Sequence, residues 1–119
     1  QGVEEIDTVV LGVNYAFNYV HLADVDRQLL KAIIGKAMEA TGYAIQIIGH
    51  TDAQGSESYN LELGQQRAEN VKLYFIQNGM DASFIEVKTF GESQPLLDNE
   101  TELGRKMNRR VEVIVSYQK

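Results

Sequence analysis

Apolar residues recur along this chain with two different periods, and the switches between them give the order of its elements. Thr8 to Tyr15 is β-branched and apolar, and predicts a first strand over about residues 8 to 15. From Val25 the period lengthens. Val25, Leu29, Ile33 and Ala37 fall at i, i+4, i+8 and i+12, with Leu30, Ile34 and Met38 one position over, which predicts a helix with a broad apolar stripe. Asp24 stands where a side-chain cap would begin that helix, and Gly42 where a left-handed residue would end it. Tyr43 to Gly49 reads as a second strand. A helical crossover between two strands implies a parallel, right-handed unit, so strand ends and helix starts share one edge of the sheet.

Ala53 to Ser58 is turn chemistry. Tyr59 to Gly64 reads as a first helical turn ahead of a main helix from Gln65 to about Gln77, which Asn78-Gly79 stops. Along that helix Ala68, Val71 and Phe75 form the inner face with Leu63 ahead of them. Gln66, Glu69, Asn70 and Lys72 stay in water, and Arg67 lies at the edge of the buried face. Phe84 to Phe90 and Arg110 to Tyr117 are two further strands. The stretch from Gly91 to Asn108 holds the only proline, Pro95, and is long for a structureless loop. It calls for a short helix around Glu100 to Lys106, or for a function. The order β-α-β-α-β-β describes an α/β (α+β) fold, a single-layer mixed sheet with two main helices packed on one face, and residues 1–119 read as one domain.

Composition narrows the function more than the fold. No stretch approaches the roughly 18 consecutive apolar residues of a membrane span, and a net charge of −6 argues against a duplex nucleic-acid binder. With no cysteine there is neither a disulfide framework nor a thiolate metal site. Gln1 to Thr8 is polar and acidic where a signal peptide would be basic and then apolar.

The candidate chemistry lies around Ile47-Ile48-Gly49-His50-Thr51-Asp52. Asp52 follows the C-terminal end of a strand, where open α/β sheets place binding crevices, and Arg67 comes fifteen positions later on the next helix. A carboxylate can take an ammonium and a guanidinium can take a carboxylate, so the two could grip a zwitterion. They could equally pair with each other, and spacing alone favours that plainer reading. His50-x-Asp52 suggests a metal site, but His21 and His50 are the only histidines, and a hydrogen-bonded histidine at a strand end is the better account. No serine stands in a nucleophile elbow. Tyr15, Phe17, Tyr19, Tyr59 and Tyr74 read as core edges rather than a binding platform, and the sequon Asn99-Glu100-Thr101 reads as accidental. Arg109 and Arg110 open a strand and so point to opposite faces, with one of them a structural ion-pair partner.

Taken together, Ile48-Gly49-His50-Thr51-Asp52, Gly55, Tyr59-Asn60-x-x-Leu63, Arg67-Ala68-x-x-Val71, Gly79, Phe90-Gly91-Glu92-Ser93-x-Pro95, Asn99-x-Thr101 and Gly104-Arg105-x-x-Asn108-Arg109-Arg110-Val111-Glu112 resemble the OmpA-like peptidoglycan-binding domain family. Tyr15-Ala16-Phe17-Asn18 extends the match more loosely. The resemblance implies a non-catalytic periplasmic module without cofactor or metal, which anchors an envelope protein to the cell wall by binding the diaminopimelate residue of the peptidoglycan stem peptide. Membrane attachment would come from an upstream segment. In the implied site Asp52 takes the ammonium and Arg67 the carboxylate, while Asn18, Thr51, Asn60, Leu63 and Arg110 line it. The family usually has Ser where Gly64 stands; on this reading Gly64 precedes the main helix as a weaker cap. Two other classes remain as alternatives: a protein–protein interaction module of the envelope, and a small metal-dependent hydrolase using His50 and Asp52.

Overall fold

The computed structural model describes residues 6–118, with side chains from Val10 onward. The acidic lead at residues 1–5 lies outside this range. Strand β1 (Ile6–Asn14), helix α1 (Asp24–Glu39), strand β2 (Gly42–His50), helix α2 (Glu57–Gln77), strand β3 (Ile85–Gly91), helix α3 (Glu102–Asn108) and strand β4 (Arg110–Gln118) follow one another in the expected order. The short helix α3 occupies the long connection.

The strands form one sheet in the order β1-β4-β2-β3. β1 and β2 run in the same direction, as a helical crossover requires, but they are not neighbours. β4 is inserted between them, antiparallel to both, while α2 joins the adjacent parallel pair β2 and β3. Along β4, Val111, Val113, Val115 and Tyr117 turn inward and are buried, and Glu112, Ile114 and Ser116 face the other way. The inner residues meet Val13, Ile45 and Ile47 from the neighbouring strands, Leu30, Ile34 and Ala37 from α1, and Ala68, Val71 and Phe75 from α2 in one core cluster. Both helices therefore cover one face and leave the other open.

Three local expectations change. The N-cap of α1 is Ala23, without a side-chain hydrogen bond; Asp24 is the first helical residue and pairs with Arg27 instead. Of the two apolar stripes on α1, only Leu30, Ile34 and Ala37 are fully buried, and Val25, Leu29 and Met38 are exposed. An i, i+4 row drifts about 40° around the helix at each step, so the start of one stripe and the end of the other turn away from the sheet. Gly42 is the first residue of β2 and is not left-handed; α1 ends at Ala40, whose N–H donates to the carbonyl of Ala37.

Helix α2 is one continuous helix from Glu57, not a turn followed by a helix. Ser56 caps it, its side chain accepting from the Tyr59 N–H at 3.2 Å. Gly64 is therefore interior, and its role is steric. A Cβ on Gly49 would overlap the Gly64 carbonyl, and one on Gly64 would overlap the Thr89 hydroxyl and lie 3.1 Å from the Gly49 oxygen. Helix and strand touch main chain to main chain here. At the other end, Gly79 has φ +95° and supplies the expected left-handed stop.

On the open face His50 is 1% exposed, stacked on Phe90 at 5.9 Å between ring centroids, with its Nε2 3.5 Å from a Glu112 carboxylate oxygen. Neither ring nitrogen makes a hydrogen bond, contrary to the expectation of a hydrogen-bonded histidine. Burial, and then the neighbouring Arg110 guanidinium, push its pKa below the usual histidine value, with Glu112 opposing them only in part.

Gly49→Ala should destabilise the fold by about 3 kcal/mol, because backbone atoms must separate. Gly64→Ala should cost about 1 kcal/mol, since alanine's helix preference offsets part of the strain and Thr89 can turn aside. Urea unfolding measures both, and Thr89→Ala should recover part of the Gly64→Ala loss. The folded protein also resists protonating His50 more than the unfolded chain does. Stability is then complete above about pH 6.5, the unfolded value, and falls as the pH drops below it. His50→Gln should flatten that fall between about pH 6.5 and 5, read from urea midpoints of the two proteins.

Candidate functional site

The C-terminal ends of β1, β2 and β3 and the start of β4 share one edge of the sheet. Above it β2 shifts register against β3 between Gly49 and His50, so that His50 pairs with Gly91. The chain then leaves the sheet through Thr51, whose N–H donates to the Gly91 carbonyl at 2.9 Å. Thr51 is buried and its hydroxyl donates to the main-chain oxygen of Asp52 at 2.9 Å.

Asp52 is 3% exposed, and each of its carboxylate oxygens accepts one hydrogen bond. Its Oδ1 accepts the Gln54 N–H at 3.0 Å, and its Oδ2 accepts from Arg109 Nη1 at 3.0 Å. Arg109 continues outward, Nη2 donating to Glu102 at 3.0 Å and Nε to the Tyr15 carbonyl at 2.8 Å. Burial pulls the Arg109 pKa down, but Glu102 and Asp52 together outweigh burial and hold it above its ordinary value. The Arg109 guanidinium in turn holds the Glu102 carboxyl below the usual range.

Arg67 does not pair with Asp52. It is not at the edge of the helix face but wholly buried, the largest side chain among those that are. Its Nε donates to the Tyr19 carbonyl at 2.7 Å, Nη1 to the His50 carbonyl at 3.1 Å and Nη2 to the Ala16 carbonyl at 3.2 Å, and the guanidinium carbon lies 4.9 Å from the centre of the Tyr15 ring. Three of the five N–H groups of the guanidinium are thereby used, leaving two. Burial pushes its pKa down to about 10, against the opposing pull of Tyr15 and Asp52. The group is still charged at neutral pH. Among the described residues no carboxylate is within ion-pair distance of it.

The loop after β1 closes over this guanidinium and is fastened along α2. Besides Arg67, Asn70 donates to the Val20 carbonyl of the loop at 2.8 Å, and one turn on Tyr74 donates to the Arg27 carbonyl in α1 at 3.0 Å, a polar line at helical spacing. Asn18 lies in this loop in the left-handed region (φ 59°), which asparagine tolerates, and its Oδ1 accepts from the Tyr59 hydroxyl at 2.9 Å. Asn60, on the first turn of α2, is 1% exposed; its Nδ2 donates to the Gln54 carbonyl at 3.0 Å and to Glu92 at 2.7 Å. Leu63 is buried one turn on, outside the main core cluster.

Asn18, Thr51, Asp52, Asn60, Leu63 and Arg67 thus belong to one edge, while Arg110 is turned away. Its Nε donates to Glu112 at 3.0 Å and its Nη2 to the Gln94 carbonyl at 3.2 Å. The side chain brought to Asp52 is that of Arg109, the first of the pair. His50 and Asp52 also part: the imidazole lies beside Glu112 and Phe90, the carboxylate beside Arg109. Among the described residues no group of three or more His, Asp or Glu could hold a metal ion.

Sequence reading placed Asn99 and Asn108 in the family match but gave neither a role. Asn108 is buried with its Oδ1 accepting from the Leu96 and Leu97 N–H groups and its Nδ2 donating to the Leu97 carbonyl and Asn99. Asn99 Oδ1 also accepts the Ala53 N–H at 3.2 Å, and Thr101 caps α3. The tripeptide read as a chance sequon is a joint between α3 and the Asp52 turn.

A family model described as the OmpA family matches residues 14–109. The chain is 43% identical over 94 residues to the outer-membrane lipoprotein YfiB of Pseudomonas aeruginosa, covering 79% of this chain and 51% of that protein. It is 34% identical over 95 residues to the peptidoglycan-binding protein ArfA of Mycobacterium bovis, covering 80% and 29%. The chain therefore spans about half or less of these relatives. Its fold superimposes on the crystal structure of the peptidoglycan-associated lipoprotein from Burkholderia pseudomallei with a TM-score of 0.83, at 28% identity, over 87% of this chain and 88% of that one. By its sequence and by its β1-β4-β2-β3 sheet with both main helices on one face, this chain belongs to the OmpA family.

Proposed function

We propose that residues 1–119 act as one periplasmic domain that binds peptidoglycan non-covalently, without catalysis, and anchors an envelope protein to the cell wall. The ligand group is the end of the diaminopimelate residue that keeps both a free ammonium and a free carboxylate. Relatives whose names state peptidoglycan binding or association support the polymer. The observation that carries the ligand group is Arg67: a buried, charged guanidinium held by three main-chain carbonyls, with two N–H groups to spare and no carboxylate on it. A ligand carboxylate supplies the missing counter-charge. Asp52, near enough to raise the Arg67 pKa, takes the ammonium. Thr51, Asn60 and Leu63 shape the site between them, and Asn18 stands in the loop that covers it.

In this reading Arg109, not Arg110, is the third charge, because it fixes the Asp52 carboxylate from behind. Arg110 serves the open face through Glu112 and Gln94. Entry of the ligand displaces part of the loop formed by residues 15–20, since Asp52 and Arg67 are both buried beneath their surroundings.

Removing either charge outright would also damage the fold, so conservative variants give the cleaner test. Asp52→Asn and Arg67→Lys should each lower retention on purified sacculi by ten- to a hundredfold, the worth of a charge-assisted hydrogen bond. Both should keep a cooperative thermal transition. Retention equal to the parent protein in either variant would overturn the assignment. Binding should also fall by less than about tenfold between 50 and 500 mM salt, because buried pairs are poorly screened. A steep salt dependence would point instead to surface attraction.

A further inference from the structure

The acceptors around the proposed ammonium position are not free to choose their orientation. Asn60 has an amide with two ends, one a donor and one an acceptor, and on a rotatable bond either could face the ligand. Here both Nδ2 protons are spoken for: the Gln54 carbonyl lies 3.0 Å away and Glu92 Oε1 2.7 Å away. Both partners are acceptors, so hydrogen-bond chemistry itself fixes which end is nitrogen. Turning the amide over would set its oxygen against two other oxygens. Asn60 Oδ1 is thereby kept as an acceptor, and among the described hydrogen bonds it receives none.

The same peptide links this amide to Asp52. Gln54 accepts from Asn60 through its carbonyl and donates to Asp52 Oδ1 through its N–H at 3.0 Å. Asp52 Oδ2 is then held by Arg109, which is held by Glu102. A chain of hydrogen bonds thus runs from one carboxylate, Glu92, through Asn60, Gln54, Asp52 and Arg109 to another, Glu102. Its two ends are ionic and its middle is buried, with Asn60 1% and Asp52 3% exposed.

We propose that Glu92 is a positioning residue for recognition of the ligand's ammonium group. By drawing on one Asn60 proton while Gln54 draws on the other, it locks the Asn60 amide so that its oxygen is kept as an acceptor. Asp52 and Asn60 then form an acceptor pair matched by a primary ammonium, with its three donors, matched only in part by a hydroxyl, with one, and unsuited to a second carboxylate. Glu92 itself acts through Asn60 and does not touch the ligand. This inference rests on the functional reading above and adds to it the source of selectivity for the amino end.

The test compares meso-diaminopimelate with pimelate, the same dicarboxylate without amino groups, by NMR titration of the domain and its variants. Glu92→Ala should weaken diaminopimelate binding about tenfold and leave pimelate binding unchanged. Glu92→Gln, whose amide oxygen can still accept from Asn60, should recover most of the loss. A Glu92→Ala protein that binds diaminopimelate like the parent overturns the inference. So does one that loses both ligands equally, which would mark Glu92 as merely structural, and so does a failure of Glu92→Gln to rescue, which would mark its role as charge alone. Should the parent protein not bind diaminopimelate at all, the functional reading falls and takes this inference with it.

Discussion

A guanidinium removed from water must be given acceptors, and Arg67 draws them from three separate places in the chain: Ala16, Tyr19 and His50. Each is a main-chain carbonyl, so satisfying this one side chain fixes the course of the backbone in the β1–α1 loop and at the end of β2. Tyr15 and Leu22 anchor the two ends of this loop in the core, while Phe17 and Tyr19 between them are exposed. Between those anchors the ordering contacts are polar, from Arg67 and Asn70 on α2 to the carbonyls of Ala16, Tyr19 and Val20. Losing Arg67 would leave buried carbonyls without donors, a cost distinct from any loss of binding.

Arg109 plays the complementary part. It joins Tyr15 at the end of β1, Asp52 after β2 and Glu102 on α3, so the two arginines together tie four elements at one edge of the sheet. Their electrostatic situations differ. Arg109 has two carboxylates and is charged more firmly than a free arginine, whereas Arg67 has only dipoles and is held less firmly. One cation is matched by carboxylates and the other only by carbonyls, so the site is electrostatically asymmetric, which is what the proposed binding of a ligand carboxylate at Arg67 rests on.

The fold was largely legible in the sequence because its signals are local: alternation in β4, helical spacing in α2, the Asn78-Gly79 stop. What stayed hidden depends on partners far along the chain. Nothing near Val25 or Leu29 shows that the sheet will meet Leu30 and Ile34 instead. Gly64 read as a weak cap at a helix start because the family usually has Ser there, yet contact with Gly49 demands glycine in mid-helix. At the site, Asp52 and Arg67 were legible as opposite charges on adjoining elements. That Arg109 would take Asp52 was not, since the choice between Arg109 and Arg110 turns on where α3 ends. Asn108 and Asn99 gave no sign of their roles, because a fully bonded asparagine leaves no periodicity behind.

Asp52 lies three residues beyond Gly49, and Arg67 three residues beyond Gly64. Those two glycines touch through their main chains. The main-chain positions from which the two charged side chains project are consequently gauged by backbone against backbone. Substitutions in the apolar core can shift α1 or the outer strands without changing that gauge. A ligand group of fixed span, with its ammonium and carboxylate on one carbon, would be measured against a ruler that side-chain variation elsewhere does not stretch.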